Sequence, residues 1–345
     1  MRATFMYGAG DVRVVEVPDP VLQAPTDAIV RVTLACVCGS DLHPYRSLPA
    51  SAEGVPMGHE LIGVVEQVGE AVTDLAVGDL VISPFAFSDN TCDHCREGFH
   101  TSCVHGGWYG AGGVGGAQAE KIRVPQAQGT LVRIPADVDE ALLPSLLTLS
   151  DVYLTGYHAA HMGRVGPGKT VTVVGDGAVG LSAVLAAKEL GAERIVLMGR
   201  HTARTDLGRE LGATDVVAER GAEGVAKVLE LTGGQGTHVV LEAVGHMPAY
   251  EQAYGVVRPG GVVSRVGVPQ YEDAPVGFGS LFGKNATLTG GPAPVRAYIE
   301  AAIPRVLSEE IDPGRVFDAD LPLADVAEAY RLMDSREALK VIVRP

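Results

Sequence analysis

Aromatic side chains are scarce in this chain. Phe, Tyr and Trp make up 5% of its 345 residues, and Trp occurs once. The core must therefore come mostly from Val, Leu, Ile and Ala. Positive charge is also short: 27 Lys and Arg stand against 42 Asp and Glu, a net charge of −15 at pH 7. A nucleic-acid duplex or an anionic membrane surface would repel such a chain, and no basic stripe reverses the balance. Neither is an expected partner. No run of about 18 apolar residues occurs, which excludes a transmembrane helix. Residues 1–5 lead directly into a strand-like pattern without a signal-peptide core, so a cytoplasmic protein is expected. Cysteines number only five, an odd count, and three of them crowd together as Cys92, Cys95 and Cys103. In a reducing compartment such a cluster marks metal binding more often than disulfides.

Glycine, by contrast, is plentiful at 44 residues, and 46% of the chain is hydrophobic against 20% charged. This is a globular composition, long enough for two domains. Up to about residue 135 the pattern is β-rich. Val- and Ile-rich runs at 12–17, 29–37, 60–68, 80–84 and 120–124 are separated by Gly, Pro and Asp clusters, which suggests Greek-key-type connections. The texture changes near residue 140. Helical spacing is predicted at 139–149, 155–161, 181–190, 202–211 and 221–231, and strands at 169–174, 194–198, 215–217, 238–242 and 262–266. That alternation argues for a parallel sheet wrapped by helices. The tail from about 295 is helical and ends in a predicted strand at 339–343.

Gly175, Gly177 and Gly180 follow a strand and open a helix. In that setting the first glycine makes a tight turn, the second admits a pyrophosphate, and the third lets helix and strand pack closely. Ala178 and Val179 lie in the same loop, whose N–H groups would face the phosphates. An NAD site would carry an acidic residue about 20 residues further on. This chain instead has Gly199-Arg200-His201, with Arg204 close by. A guanidinium suits a 2′-phosphate, so NADP is expected over NAD. The alternative is a solvated loop arginine.

Cys38-Gly39-Ser40-Asp41-Leu42-His43 places a thiol, a hydroxyl, a carboxylate and an imidazole in six residues after a strand-like run. His59 follows Cys38 by about 20 residues, across one excursion between strands. Together the two read as zinc ligands, with Asp41 a candidate to fix the tautomer of His59. Asp151, where the β-rich part gives way to the nucleotide part, is the candidate third ligand; its ordinary reading is a helix cap. Asp89, Cys92, Cys95 and Cys103, with two, two and seven residues between them, suit a closed structural zinc loop, although the first position is oxygen rather than sulfur. Buried free thiols are the alternative there, and Cys36 reads as a small hydrophobe on a strand.

These motifs, together with Gly58-His59-Glu60 and Glu242-Ala243-Val244-Gly245, resemble the zinc-dependent medium-chain alcohol dehydrogenases nearly end to end and in order. The resemblance implies an α/β chain. A GroES-like β-rich catalytic domain would occupy 1–150 and 294–345, and a Rossmann doubly wound parallel sheet for NADP would occupy 151–293. It implies a catalytic zinc on Cys38, His59 and Asp151, with Glu60 able to swing to the metal. Many members have Cys where Asp151 stands, and some have Asp. Ser40 matches the hydroxyl that takes the substrate proton, and His43 the imidazole that relays it. Thr155, Val244 and Val268 match positions near the cofactor, and Lys340 a basic residue near its phosphates. Tyr45, Phe85 and Trp108 are candidates for the substrate pocket. The reaction implied is oxidation of an alcohol, or reduction of an aldehyde or ketone, by a homodimer or homotetramer. Three other readings stay open: an NAD-using formaldehyde- or polyol-directed dehydrogenase, a zinc-free quinone or enone reductase, and a non-catalytic NADP-binding protein.

Overall fold

The structure, a computed structural model, describes residues 1–270 and 277–345. Met1–Asp151 and Pro294–Pro345 form one compact unit, and Val152–Ala293 forms another.

The first unit is organised on the strand Ala28–Cys36, whose β-branched residues suit a pleated, buried surface. It pairs antiparallel with Leu61–Val68, Lys121–Val124 and Val341–Arg344. Val341–Arg344 in turn pairs parallel with Ala319–Pro322, so the C-terminal tail closes onto this sheet. Val30, Val32, Leu61, Val65, Val81 and Ile122 share one core cluster. A second cluster holds Met6, Val37, Leu42, Tyr330, Val341 and Val343. Each large aliphatic side chain buried this way contributes about 1.5–3 kcal/mol. Val37 and Leu42 sit on either side of the 38–41 turn, so the core holds that turn at both ends.

The helix predicted over 139–149 is broken into three pieces: the 3-10 turn Glu140–Leu142, the short helix Leu143–Leu147 and the 3-10 turn Thr148–Ser150. Pro144 lies in the first turn of the middle piece. In one continuous helix it would sit in the interior, where proline lacks the required N–H and clashes with the preceding turn. Asp139 caps the start by accepting from Ala141 N at 2.9 Å.

The second unit carries, among the described residues, a six-stranded sheet in the order Asp215–Val217, Arg194–Met198, Thr170–Val174, Thr237–Glu242, Val257–Arg265, Thr287–Gly290. Every neighbouring pair is parallel. This is the doubly wound order whose ligand crevice lies at the carboxyl ends of the strands. The last strand, Thr287–Gly290, was not predicted. It is short, and its Thr287 and Leu288 are exposed, so it gives no apolar run to read. The helix Ala178–Glu189 is built almost wholly from small and aliphatic residues and is buried from Gly180 to Ala187.

Candidate active site

The strand Ala28–Cys36 ends two residues before Cys38, which precedes the 3-10 turn Gly39–Asp41. Asp41 fixes this turn by accepting from Cys38 N at 3.0 Å. Its other oxygen, Oδ1, lies 3.5 Å from His59 Nδ1. The opposite ring nitrogen, Nε2, lies 3.5 Å from Asp151 Oδ2, and Cys38 Sγ is 3.8 Å from that same oxygen. The candidate ligand atoms of Cys38, His59, Glu60 and Asp151 all lie within 4.8 Å of one another. Residues from three separate stretches of sequence thus aim a sulfur, an imidazole nitrogen and two carboxylates at one place.

The donor chemistry fits zinc, which takes thiolate, imidazole and carboxylate together. Glu60 Oε2 is buried with no hydrogen-bond partner, which leaves an acceptor unspent beside the cluster. The local electrostatics point the same way. Burial, then the charges of Glu60 and Asp151, push the Cys38 thiol up. Burial acts to lower His59, but Asp41, Cys38 and Asp151 outweigh it and hold the imidazole well above its ordinary value. A bound dication would relieve both the crowding of acids and the cost of burying them.

Ser40 and His43 are half-buried on the 3-10 turn and on the adjoining helix Leu42–Ser47. Phe85 lies edge-on to the His59 ring at 6.3 Å and stacks on Trp108 at 5.5 Å, which places both aromatic rings beside the cluster. Tyr45 is half-buried, and its ring packs against Tyr330 at 5.4 Å, in contact with the second core cluster.

Lys340 lies deeper than expected of a residue beside cofactor phosphates. It is 1% exposed, and its ammonium donates to Glu60 Oε1 at 2.7 Å and to Val37 O at 3.2 Å. Burial alone would favour the neutral amine, but Cys36 and Glu60 hold it well above its ordinary value. An ammonium so enclosed serves the carboxylate beside it, rather than a solvent-side phosphate. Gln118 and Tyr330 had no signal in the sequence. Gln118 Nε2 donates to Asp41 Oδ2 at 3.3 Å and to Cys36 O at 3.2 Å, and Tyr330 donates to Gln118 Oε1 at 3.1 Å. They join the Asp41 turn to the core through side chains that no local pattern pairs.

The second cluster is compact too. Cys92 Sγ lies 3.5 Å from Cys95 Sγ and 3.8 Å from Cys103 Sγ, and Asp89 joins them within 4.8 Å. Tetrahedral zinc with sulfur at about 2.3 Å separates its thiolates by about 3.8 Å, so the spacing fits. Asp89 Oδ1 accepts from Thr91 N at 2.8 Å and from Cys92 N at 3.0 Å, and its Oδ2 lies 2.6 Å from His105 Nδ1. Burial acts against the carboxylate, but these donors hold it far below the usual range. His105, two residues past the last cysteine, was not singled out from sequence, although a histidine that close to a thiol cluster is a readable signal.

In the second unit Gly175 adopts φ +114°, and a Cβ on Gly180 would run into Gly175 O. A Cβ on Gly177, in contrast, would meet only open space, as a loop that must admit a pyrophosphate requires. Gly177 caps the helix Ala178–Glu189. Arg200 is exposed, while His201 and Arg204 are half-buried. Glu242 Oε1 accepts from the N–H groups of Val244 and Gly245 at 2.8 Å each, which shapes the turn after that strand. Val268 is 50% exposed, and Thr155 is buried in the helix Val152–Met162. The loop fits a dinucleotide.

Residues 24–136 match the alcohol dehydrogenase GroES-like domain, and residues 178–308 match the zinc-binding dehydrogenase domain. The chain is 34% identical to zinc-type alcohol dehydrogenase B of Aspergillus flavus, over all of this chain and 81% of that protein. It is 30% identical to an NADP-dependent isopropanol dehydrogenase of Entamoeba histolytica, over all of this chain and 96% of that one. Among solved structures, the alcohol dehydrogenase of Thermus sp. ATN1 superposes with a TM-score of 0.90 at 38% identity, covering 100% of this chain and 99% of that one.

Proposed function

Since the chain belongs to the zinc-dependent medium-chain alcohol dehydrogenase family, we propose that it interconverts an alcohol and an aldehyde or ketone with NADP(H) as the hydride carrier. The observation that carries this reading is the convergence of Cys38, His59, Glu60 and Asp151 within 4.8 Å. A quinone or enone reductase without zinc would have no use for that set.

Cys38, His59 and Asp151 would hold the catalytic zinc, with Glu60 in reserve, and Asp89, Cys92, Cys95 and Cys103 a structural one. When bound, zinc supplies a Lewis acid that makes the alcohol easier to deprotonate, and the nicotinamide accepts the hydride. Asp41 orients the His59 ring and so fixes which nitrogen faces the ligand position. Ser40 takes the proton of the substrate hydroxyl, and His43 passes it to solvent. Phe85 and Trp108 offer an apolar wall for the carbon side of the substrate. Arg200, His201 and Arg204, with no carboxylate at 199, support NADP, as does the NADP dependence of the Entamoeba relative. The half-exposed edge strand Thr287–Gly290 supports a homodimer or homotetramer built through that sheet.

The test is a panel of primary, secondary and polyhydric alcohols, followed by reduced-cofactor absorbance with NADP and with NAD, before and after a chelator. Turnover with NADP that the chelator abolishes supports the reading. Chelator-resistant reduction of quinones or enones would replace it.

A further inference from the structure

The 175–180 loop carries a charged residue, Asp176, at a position where a pyrophosphate-binding turn needs none. Three donors converge on one of its oxygens, Oδ2. They are Arg200 N at 2.8 Å, His201 N at 2.9 Å and His201 Nδ1 at 2.8 Å. One oxygen of the carboxylate is thus engaged within the fold. Burial works to raise its pKa, yet the His201 donations bring it below the usual value.

Asp176 also fills the space beside Gly199. A Cβ added at 199 would lie 2.5 Å from Asp176 Cβ and 3.0 Å from its Oδ2. Position 199 directly follows the strand Arg194–Met198, next to the sheet's central strand Thr170–Val174. That is the place from which an acidic side chain reaches the ribose hydroxyls in an NAD site, about 20 residues past the glycine loop. With Asp176 in place, residue 199 has no room for any side chain, acidic or otherwise. The next two residues are tied down by their own N–H groups.

We propose that Asp176 is the positioning residue for cofactor choice. It clamps Arg200 and His201, keeps position 199 bare, and so shapes the 199–204 turn to receive the 2′-phosphate of NADP. This rests on the NADP reading above. Asp176 does not touch the phosphate itself. Three donors face its Oδ2 and soften its negative potential on that side, and it sets the place from which the guanidinium and imidazole meet the ligand.

The experiment is fluorescence titration of the full-length protein with NADPH and with NADH, together with kcat and KM for each cofactor. It uses the wild type, Asp176→Ala and Asp176→Asn. Wild type is expected to prefer NADPH. Asp176→Ala should erode that preference by roughly ten- to a hundredfold, the worth of one lost charge-assisted hydrogen bond. The loss should fall on NADPH affinity and on KM for NADP, with NADH affinity and kcat nearly unchanged. Asp176→Asn keeps an oxygen acceptor in the same place and should retain most of the preference, which also guards against a misfolded Ala variant. A wild-type preference for NADPH that neither variant alters would overturn the inference alone. So would an Asp176→Ala loss confined to NADH, since Asp176 would then be the ribose-binding acid. A wild-type preference for NADH would overturn the cofactor reading and this inference with it.

Discussion

Lys340 Nζ lies 2.7 Å from Glu60 Oε1, with both residues essentially out of solvent. The pair joins the C-terminal segment to the Gly-His-Glu turn, beside the Cys38 and His59 donor atoms. A charge so enclosed depends on its partner. Removing one member strands the other, at a cost of about 3–5 kcal/mol. Lys340→Met is therefore expected to lower stability by about that much in urea unfolding. The double variant Lys340→Met with Glu60→Gln should recover a large part of the loss. A loss in the double variant equal to the sum of the losses in Lys340→Met and Glu60→Gln measured singly would show that the pair is not coupled.

The Asp89–His105 contact carries a second prediction. In the proposed structural zinc site Asp89 offers oxygen, a harder donor than thiolate, so its orientation matters more, and His105 Nδ1 lies 2.6 Å from one of its oxygens. His105→Ala should weaken zinc at the Cys92, Cys95 and Cys103 loop by about 10–100-fold, the usual penalty for removing a group that orients a ligand. Competition against a chromogenic chelator measures this. Cys103→Ala should abolish binding there altogether. Unchanged competition in His105→Ala would show that His105 does not orient Asp89 for the metal.

A third prediction concerns pH. His158 is buried in the helix Val152–Met162, and burial lowers its pKa from 6.5 to about 4. The unfolded chain therefore binds a proton that the folded chain refuses between those values. Stability should fall as pH drops from about 6.5 towards 4 and be fully present above that window. Urea unfolding at pH 7 and pH 5 should show a smaller difference for His158→Gln than for wild type. An identical difference would assign the acid sensitivity to other groups.

Much of this molecule was legible because its chemistry is local. Cys38, His59 and the three clustered cysteines read as candidate ligands by spacing, and their side chains do converge; 175–180 reads as a candidate nucleotide loop by its glycines, and it does lie between strand and helix. The strands Arg194–Met198 and Asp215–Val217 and the helices Thr202–Leu211 and Gly221–Leu231 are apolar or amphipathic enough to read directly. What escaped depends on long-range pairing. Lys340 meets Glu60 across 280 positions, and Tyr330 meets Gln118 across 212. No period in the sequence records such contacts. The segment 139–149 misled because its apolar spacing is helical while Pro144 forbids one unbroken helix.

In the proposed reaction, Cys38 helps to hold a zinc ion on which alcohol turnover depends. Zinc content per chain, by elemental mass spectrometry on wild type and on Cys38→Ser, tests this most directly. Two equivalents are expected in wild type and one in Cys38→Ser, with alcohol-dependent NADPH formation lost from the variant. Two equivalents and full activity in Cys38→Ser would contradict the assignment.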